Sequence, residues 1–335
     1  MTCNRRAFLG LAAAGAAGCV SRPTGAAGDP PTVAVVDSGA AFDENLSIFF
    51  SDAHVCGESA RAAEFTPQRL KRFVDEVLAM RPLPRRVVHL GDLAYLHGHP
   101  DDYAVSKPML KRLEDAGIQL VFCMGNHDRR SEFNKAWPGH LDRSPVPGKY
   151  VSVTSLGTAD LVVLDGLQGT DDRPLTDMGP GQGLLTPDQI AWLKKDLPKR
   201  ARPFFVASHF PVNELLMVKG KKQGTLGHWL IKNAPMCVGY LYGHLHRWRP
   251  EWMHGSWKER KLLRTLGLPS NGLWGDIGYV TFRTFADRAV CALELKDFFF
   301  PAEPSDPNDR PAPWRIKMDE TRGATCSFLY DRQGG

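Results

Sequence analysis

Asn126, His127 and Asp128 stand side by side directly after the apolar run Ile118–Met124 and Gly125. An amide, an imidazole and a carboxylate delivered to one loop suit a metal or phosphate site, because each offers oxygen or nitrogen donors. Gly125 lets the backbone turn sharply between strand and loop. Alone, such a trio is equally a polar turn after a buried strand. The arrangement recurs, however. Asp52 and His54 follow Leu46–Phe50, Asp92 follows Arg85–Leu90 and Gly91, His209 follows Phe204–Ser208, and His244 and His246 follow Cys237–Tyr242 and Gly243. Five apolar segments ending in metal-capable side chains are far more informative together than singly. This mixed oxygen and nitrogen set, without thiolate, suits zinc, iron or manganese.

The elements between these segments are legible from spacing. Leu70, Phe73, Val74, Val77 and Leu78 fall on one helical face, which predicts a helix over 66–80 with Thr66 as N-cap and Pro67 in the first turn. A second helix is expected over 104–116 with Gly117 as its stop, and a third from a Thr186–Gln189 capping box to Leu197. Strands are expected at 161–164, ending in Asp165-Gly166, and at 279–285 and 289–295, with a short one at 33–36. Strand and helix alternate as in an α/β sheet, where sites form at converging strand C-termini. Residues 131–150 and 171–183 read as long loops. Gly179–Gly183 lacks the Lys-Ser/Thr of a phosphate loop. His89 reads as a core histidine, and His97 and His99 as exposed loop residues. Trp248, Trp252 and Trp257 read as core packing or a hydrophobic lid, with stacking on a base or sugar as the alternative.

The ordered series Asp52-x-His54, Gly91-Asp92, Gly125-Asn126-His127-Asp128, His209 and Gly243-His244-x-His246, within residues 46–296, resembles the calcineurin-like metallophosphoesterases. The resemblance implies an α/β fold, a four-layer α/β/β/α sandwich of two mixed sheets flanked by helices. It implies two metal ions, of iron, manganese or zinc. Asp52, His54, Asp92 and His246 would hold the first, and Asn126, His209 and His244 the second, with Asp92 bridging. A hydroxide bridging ions about 3.5–4 Å apart would attack phosphorus in line. His127 would bind no metal but face the phosphate and protonate the leaving oxygen, with Asp128 orienting its ring. Tyr95, three residues after Asp92, is similar to the iron-binding tyrosine of purple acid phosphatases, but the presence of His54 demotes it to a rim or substrate-contacting group. Arg130 and His209-Phe210-Pro211 look closer to the bacterial cyclic-nucleotide phosphodiesterases, with Arg130 on the substrate phosphate or simply solvated.

The 335 residues are 43% hydrophobic and 24% charged with a formal charge of +5, ordinary for a globular chain. The basic residues are scattered, so nucleic acid is not expected as a partner, and no protein partner is indicated. Seven cysteines show neither CxxC spacing nor a disulfide framework. Arg5-Arg6-Ala7-Phe8-Leu9 and the small apolar run to Gly18 read as an export signal resembling the bacterial twin-arginine type, so residues 1–28 are assigned to signal and linker and the protein is expected in the periplasm. Ala16-Ala17-Gly18-Cys19 also resembles a lipoprotein box, which would make Cys19 a lipid anchor to the membrane. Residues 297–335 are a C-terminal extension, Pro- and Asp-rich from Pro301 and expected at the surface. An exported phosphoesterase acting on a small phosphodiester or phosphomonoester is the expectation. A non-catalytic metal-binding protein and a nuclease of the same fold are the alternatives.

Overall fold

The computed structural model describes residues 41–58, 60–168, 183–217, 225–254, 262–299 and 323–330, all within one compact unit. The export signal with Cys19, the 33–36 strand, Gly179–Gln182, Trp257 and the tail from Pro301 to 322 lie outside the described residues.

The first half runs β1 (Phe42–Phe50), α1 (Thr66–Ala79), β2 (Leu83–Leu90), α2 (Pro100–Asp115), β3 (Gln119–Cys123), α3 (Arg130–Ala136), β4 (Ser152–Ser155) and β5 (Asp160–Val163). The second half adds β6 (Gly183–Leu184), α4 (Pro187–Asp196), β7 (Phe204–Ala207), β8 (Leu215–Leu216), α5 (Leu226–Asn233), β9 (Cys237–Tyr242), β10 (Arg249–His254), β11 (Leu262–Gly267), β12 (Gly275–Thr284), β13 (Arg288–Phe299) and β14 (Thr325–Leu329). Two six-stranded mixed sheets result, ordered β14-β13-β12-β1-β2-β3 and β10-β11-β9-β7-β5-β4. β1, β2 and β3 are parallel, as are β5, β7, β9 and β11.

Strand periodicity explains the layers. On β1, Ile48 and Phe50 point to the helices α1 and α2, while Phe49 points to the other sheet. On β7, Phe205 and Ala207 join Phe49, Val88 and Leu161 between the sheets, and Phe204 and Val206 pack on α4 and α5. Central strands buried on both faces read as continuous apolar runs, which is why they are visible in sequence. The molecule is an α/β/β/α sandwich with the parallel strand ends of both sheets opening at one edge.

Local differences have physical causes. The expected long loop 131–150 begins with α3, whose buried apolar anchor Phe133 packs on Phe122 at 5.0 Å and on Trp137 at 4.8 Å. A seven-residue helix with one anchor shows no periodicity to read. Thr66 is not the N-cap of α1, because Phe65 occupies that position and the Thr66 hydroxyl instead donates to Ala62 and accepts from the Cys56 amide. Thr186 does cap α4, accepting from the Gln189 amide. The C-terminal extension is not wholly a surface strap: β14 pairs along β13 and buries Cys326 and Phe328 between the sheets.

Candidate metal centre

Asp52 and His54 follow β1, Asp92 follows β2, and His244 and His246 follow β9. All five have positive φ, at 52°, 43°, 56°, 67° and 55° respectively. The left-handed region is uncommon for residues with a Cβ and marks turns whose geometry the surroundings impose. Hydrogen bonds between the turns impose it here. The Asp52 and His54 amides donate to the carbonyls of Gly91 and Asp92, and the His244 amide donates to the Asp52 carboxylate at 3.0–3.1 Å. Gly125 admits a close approach of the turns, since a Cβ there would lie 2.1 Å from Asp92 Oδ1.

Three histidines are oriented by main-chain carbonyls through Nδ1: His54 donates to Tyr95, His209 to Leu90 and His246 to Trp274, at 2.7–2.8 Å. Nε2 is then the coordinating atom of each. These atoms converge. His54 Nε2 lies 3.2 Å from His246 Nε2, which lies 3.2 Å from Asp52 Oδ1. His209 Nε2 lies 3.0 Å from Asp92 Oδ2, 3.0 Å from Asn126 Oδ1 and 3.2 Å from His244 Nδ1. Asp52, His54 and His246 form one group of potential ligands, and Asp92, His209 and His244 another. A third, His54, Asp92 and His127, joins them, and within each group the ligand atoms lie within 4.8 Å of one another. All the predicted ligands are therefore brought together, with Asp92 common to two groups.

The donor set fits cations. Facing imidazole nitrogens and buried carboxylates repel or strand their lone pairs unless positive charge sits among them. Protons partly serve that need. Burial opposes a charge on His209, yet Asp92 raises it to about 9. Burial likewise opposes a charge on His246, which Asp52 raises. Burial instead pushes His54 and His244 down to about 4, leaving them neutral and free to coordinate. Metal binding would displace the proton that Asp92 holds on His209 and compete with the one that Asp52 favours on His246.

The calcineurin-like phosphoesterase family profile matches residues 47–248, more than half of the chain and every one of these groups. The chain belongs to the calcineurin-like phosphoesterase family. It is 26% identical over 59% of its length to a cAMP/cGMP dual specificity phosphodiesterase of Mycobacterium tuberculosis. It is 28% identical over 61% of its length to a probable cyclic nucleotide phosphodiesterase of Rhodococcus erythropolis. The aligned regions span 61% and 65% of those two proteins. Among solved structures, a dimetal phosphatase from Danio rerio superposes with a TM-score of 0.55 at 14% identity, covering 76% of this chain and 96% of that one, which shows the shared fold.

Within this phosphoesterase site two expected roles change. Asp128 does not orient His127. Its carboxylate is turned inward to accept from the amides of Gly125, Asp92, Leu93 and Ala94 and from the Tyr103 hydroxyl, and so clasps the Asp92 turn to the Asn126 loop. Burial and the neighbouring Asp92 charge raise it to about 6. The His127 ring is instead held by Nδ1 donating to the Leu96 carbonyl at 2.8 Å. Arg130 is neither a phosphate ligand nor solvated: it is 8% exposed, forms a two-pronged ion pair with Asp165 and donates to the Leu167 carbonyl. The Tyr95 carbonyl also accepts from His54, and its side chain is half-buried. His89 is a buried core residue against Phe50, as its place inside a strand suggests. Trp248 is buried between the sheets, whereas Trp252 is exposed beneath the Arg264 guanidinium. Sequence reasoning missed Trp274, which stacks on His246. The sequence around it carries no periodic or motif signal to single out one ring.

Proposed function

We propose that this chain is an exported, dinuclear-metal phosphodiesterase for small phosphodiesters, with cyclic nucleotides the first class to test. The convergence of the Asp52 and Asp92 carboxylates with three carbonyl-oriented imidazoles carries the reading. Membership of the family and the activities named for the two relatives support it. Asp52, His54, Asp92 and His246 would hold one ion, and Asp92, Asn126, His209 and His244 the other. Bound ions would supply Lewis acidity toward the phosphoryl oxygens and a water of lowered pKa.

The chain's own groups do the rest. Asp52, Asp92 and His209 are at most 1% exposed, so the rear of the site excludes water. His127 is half-buried, and with Nδ1 engaged by Leu96 its Nε2 is left to hold a proton at the phosphoryl or leaving oxygen. Export rests on the Arg5-Arg6 segment, and a lipid anchor on Cys19. Cell fractionation of the full chain and of Cys19→Ser tests both, since an anchored protein would leave the membrane fraction on substitution.

Metal analysis of the purified protein, paired with an aryl phosphomonoester, an aryl phosphodiester, a cyclic nucleotide and a glycerophosphodiester, tests the activity. Metal-dependent turnover of the diesters is expected. A metal-loaded protein inert toward all four would sink the proposal and favour the non-catalytic alternative.

A further inference from the structure

Few large apolar side chains are exposed among the described residues, and two of them stand at this site: Leu96, 38% exposed, and Trp274, 40% exposed. Each is tied to a site imidazole through its own carbonyl, Leu96 to His127 and Trp274 to His246. Those two imidazoles both pack on His54, each with its ring centroid 5.1 Å from the His54 ring. Trp274 and Leu96 therefore both border the same imidazole cluster.

The Trp274 indole lies against the His246 ring at 4.1 Å with an interplanar angle of 28°. Its segment is held along its whole length. The Ser270 hydroxyl and the Gly272 amide donate to the Asp52 carbonyl, and the Asn271 amide donates to Ser51. Arg69 Nη1 donates to the carbonyls of Gly272 and Leu273, and the Asp276 amide donates to His246. The loop is thus pinned to both ligand-bearing turns that form the first group. A broad aromatic ring kept partly in water on a rigid support beside a phosphoester site is suited to stack on a flat partner, and a support fixed in advance lowers the ordering cost of binding.

We infer that Trp274 and Leu96 are the walls of a recognition subsite for a planar aromatic group, a nucleobase, joined to the phosphate held by the site. The inference rests on the phosphoesterase reading and names the part of the substrate that reading leaves open. A base has a π face that an indole accepts with little regard to its identity, so the subsite selects nucleotides as a class rather than one base. Leu96 adds an apolar rim beside His127, and the sugar lies between base and phosphate.

The test uses the metal-loaded full chain with a nucleoside 5′-monophosphate and ribose 5-phosphate as probes, read by calorimetry and by tryptophan fluorescence. The wild type is expected to bind the nucleotide about tenfold or more tightly, with quenching that disappears in Trp274→Phe. Trp274→Ala should close most of the affinity gap, Trp274→Phe should retain part of it, and Leu96→Ala should narrow it. The ratio of kcat/KM for a cyclic nucleotide over an alkyl phosphodiester should fall by a similar factor in Trp274→Ala. Equal binding of the two probes by the wild type, or a gap that survives Trp274→Ala, would overturn the inference. So would an equal loss on both substrates accompanied by loss of metal, because the ring would then act only through His246. A protein that hydrolyses no phosphoester but shows the gap would remove the activity and leave the subsite. One that hydrolyses both diesters with an unchanged ratio in Trp274→Ala would do the reverse.

Discussion

Asp92 and Asp165 occupy corresponding places in the two halves of the sandwich. Each follows a parallel strand, β2 or β5, and each is essentially inaccessible to solvent. Their surroundings differ. Asp165 accepts from Arg130 Nε at 2.7 Å and Nη2 at 2.8 Å, and from the Tyr150 and Leu167 amides at 3.0 Å. It is saturated by the protein's own donors. Asp92 Oδ1 accepts from the His127 amide at 2.7 Å, and its Oδ2 faces the Nε2 atoms of His209 and His54. A strand-end aspartate is thus either a structural ion pair or a metal ligand, and what decides is whether the opposing side chain is a permanent cation or an imidazole that can give up its proton.

The distinction breaks most sharply at Asp92. Asp92→Asn should lower kcat roughly 10⁴-fold or more and reduce the metal content measured by mass spectrometry, while the protein stays folded. His127→Ala should lower turnover about 10²- to 10⁴-fold with metal content intact. Loss of its metals would instead move His127 into the ligand set. On the other side of the comparison, Arg130→Met should cost about 3–5 kcal/mol in urea unfolding, because it leaves Asp165 buried and unpaired. Adding Asp165→Leu should recover much of that loss, and neither change should raise KM as removal of a phosphate contact would. The pair also carries a pH signature. Burial opposes the Asp165 charge, but Arg130 holds the carboxyl below its ordinary 3.8. Its contribution to stability is therefore complete above the unfolded value and is lost as pH falls below it. The double variant should be less acid-sensitive than the wild type in that window. The smallest effect is expected at the clasp between the two loops, where Asp128→Asn should weaken metal affinity about 10- to 100-fold. An unchanged metal affinity with an altered pH–rate profile would restore Asp128 to the role of ring orienter.

The ligands were legible because each follows an apolar strand buried on both faces, as with Phe50 before Asp52 or Tyr242 before His244. The layer order followed from the same runs. What stayed hidden depended on side-chain direction and long-range partners. The identity of Asp128 and Arg130 could be read, but not that one turns inward to amides and the other to a carboxylate beyond the next two strands. α3 escaped because Phe133 is its one apolar anchor, and β14 because a short edge strand with two inward residues, Cys326 and Phe328, differs little from a polar tail. Gln189 illustrates the same limit. Its amide completes the predicted cap on Thr186, but its side chain is drawn to the Asp165 backbone instead of back to the cap.

The order of the strands also has a consequence for biosynthesis. β1 lies between β2, its near neighbour in sequence, and β12, which is made long after both. His54 and His246, 192 positions apart, meet only once β9 has been added beside β7 and the loop before β12 has closed over them. Contacts of such long separation form late and slowly. A nascent polypeptide could offer Asp52, His54, Asp92 and His127 to a passing cation, but not the imidazoles of His209, His244 and His246 that complete the other two groups. Loading of those two groups is thereby tied to the late addition of β9 and the loop before β12, and the ion supply that matters is that of the compartment in which folding ends.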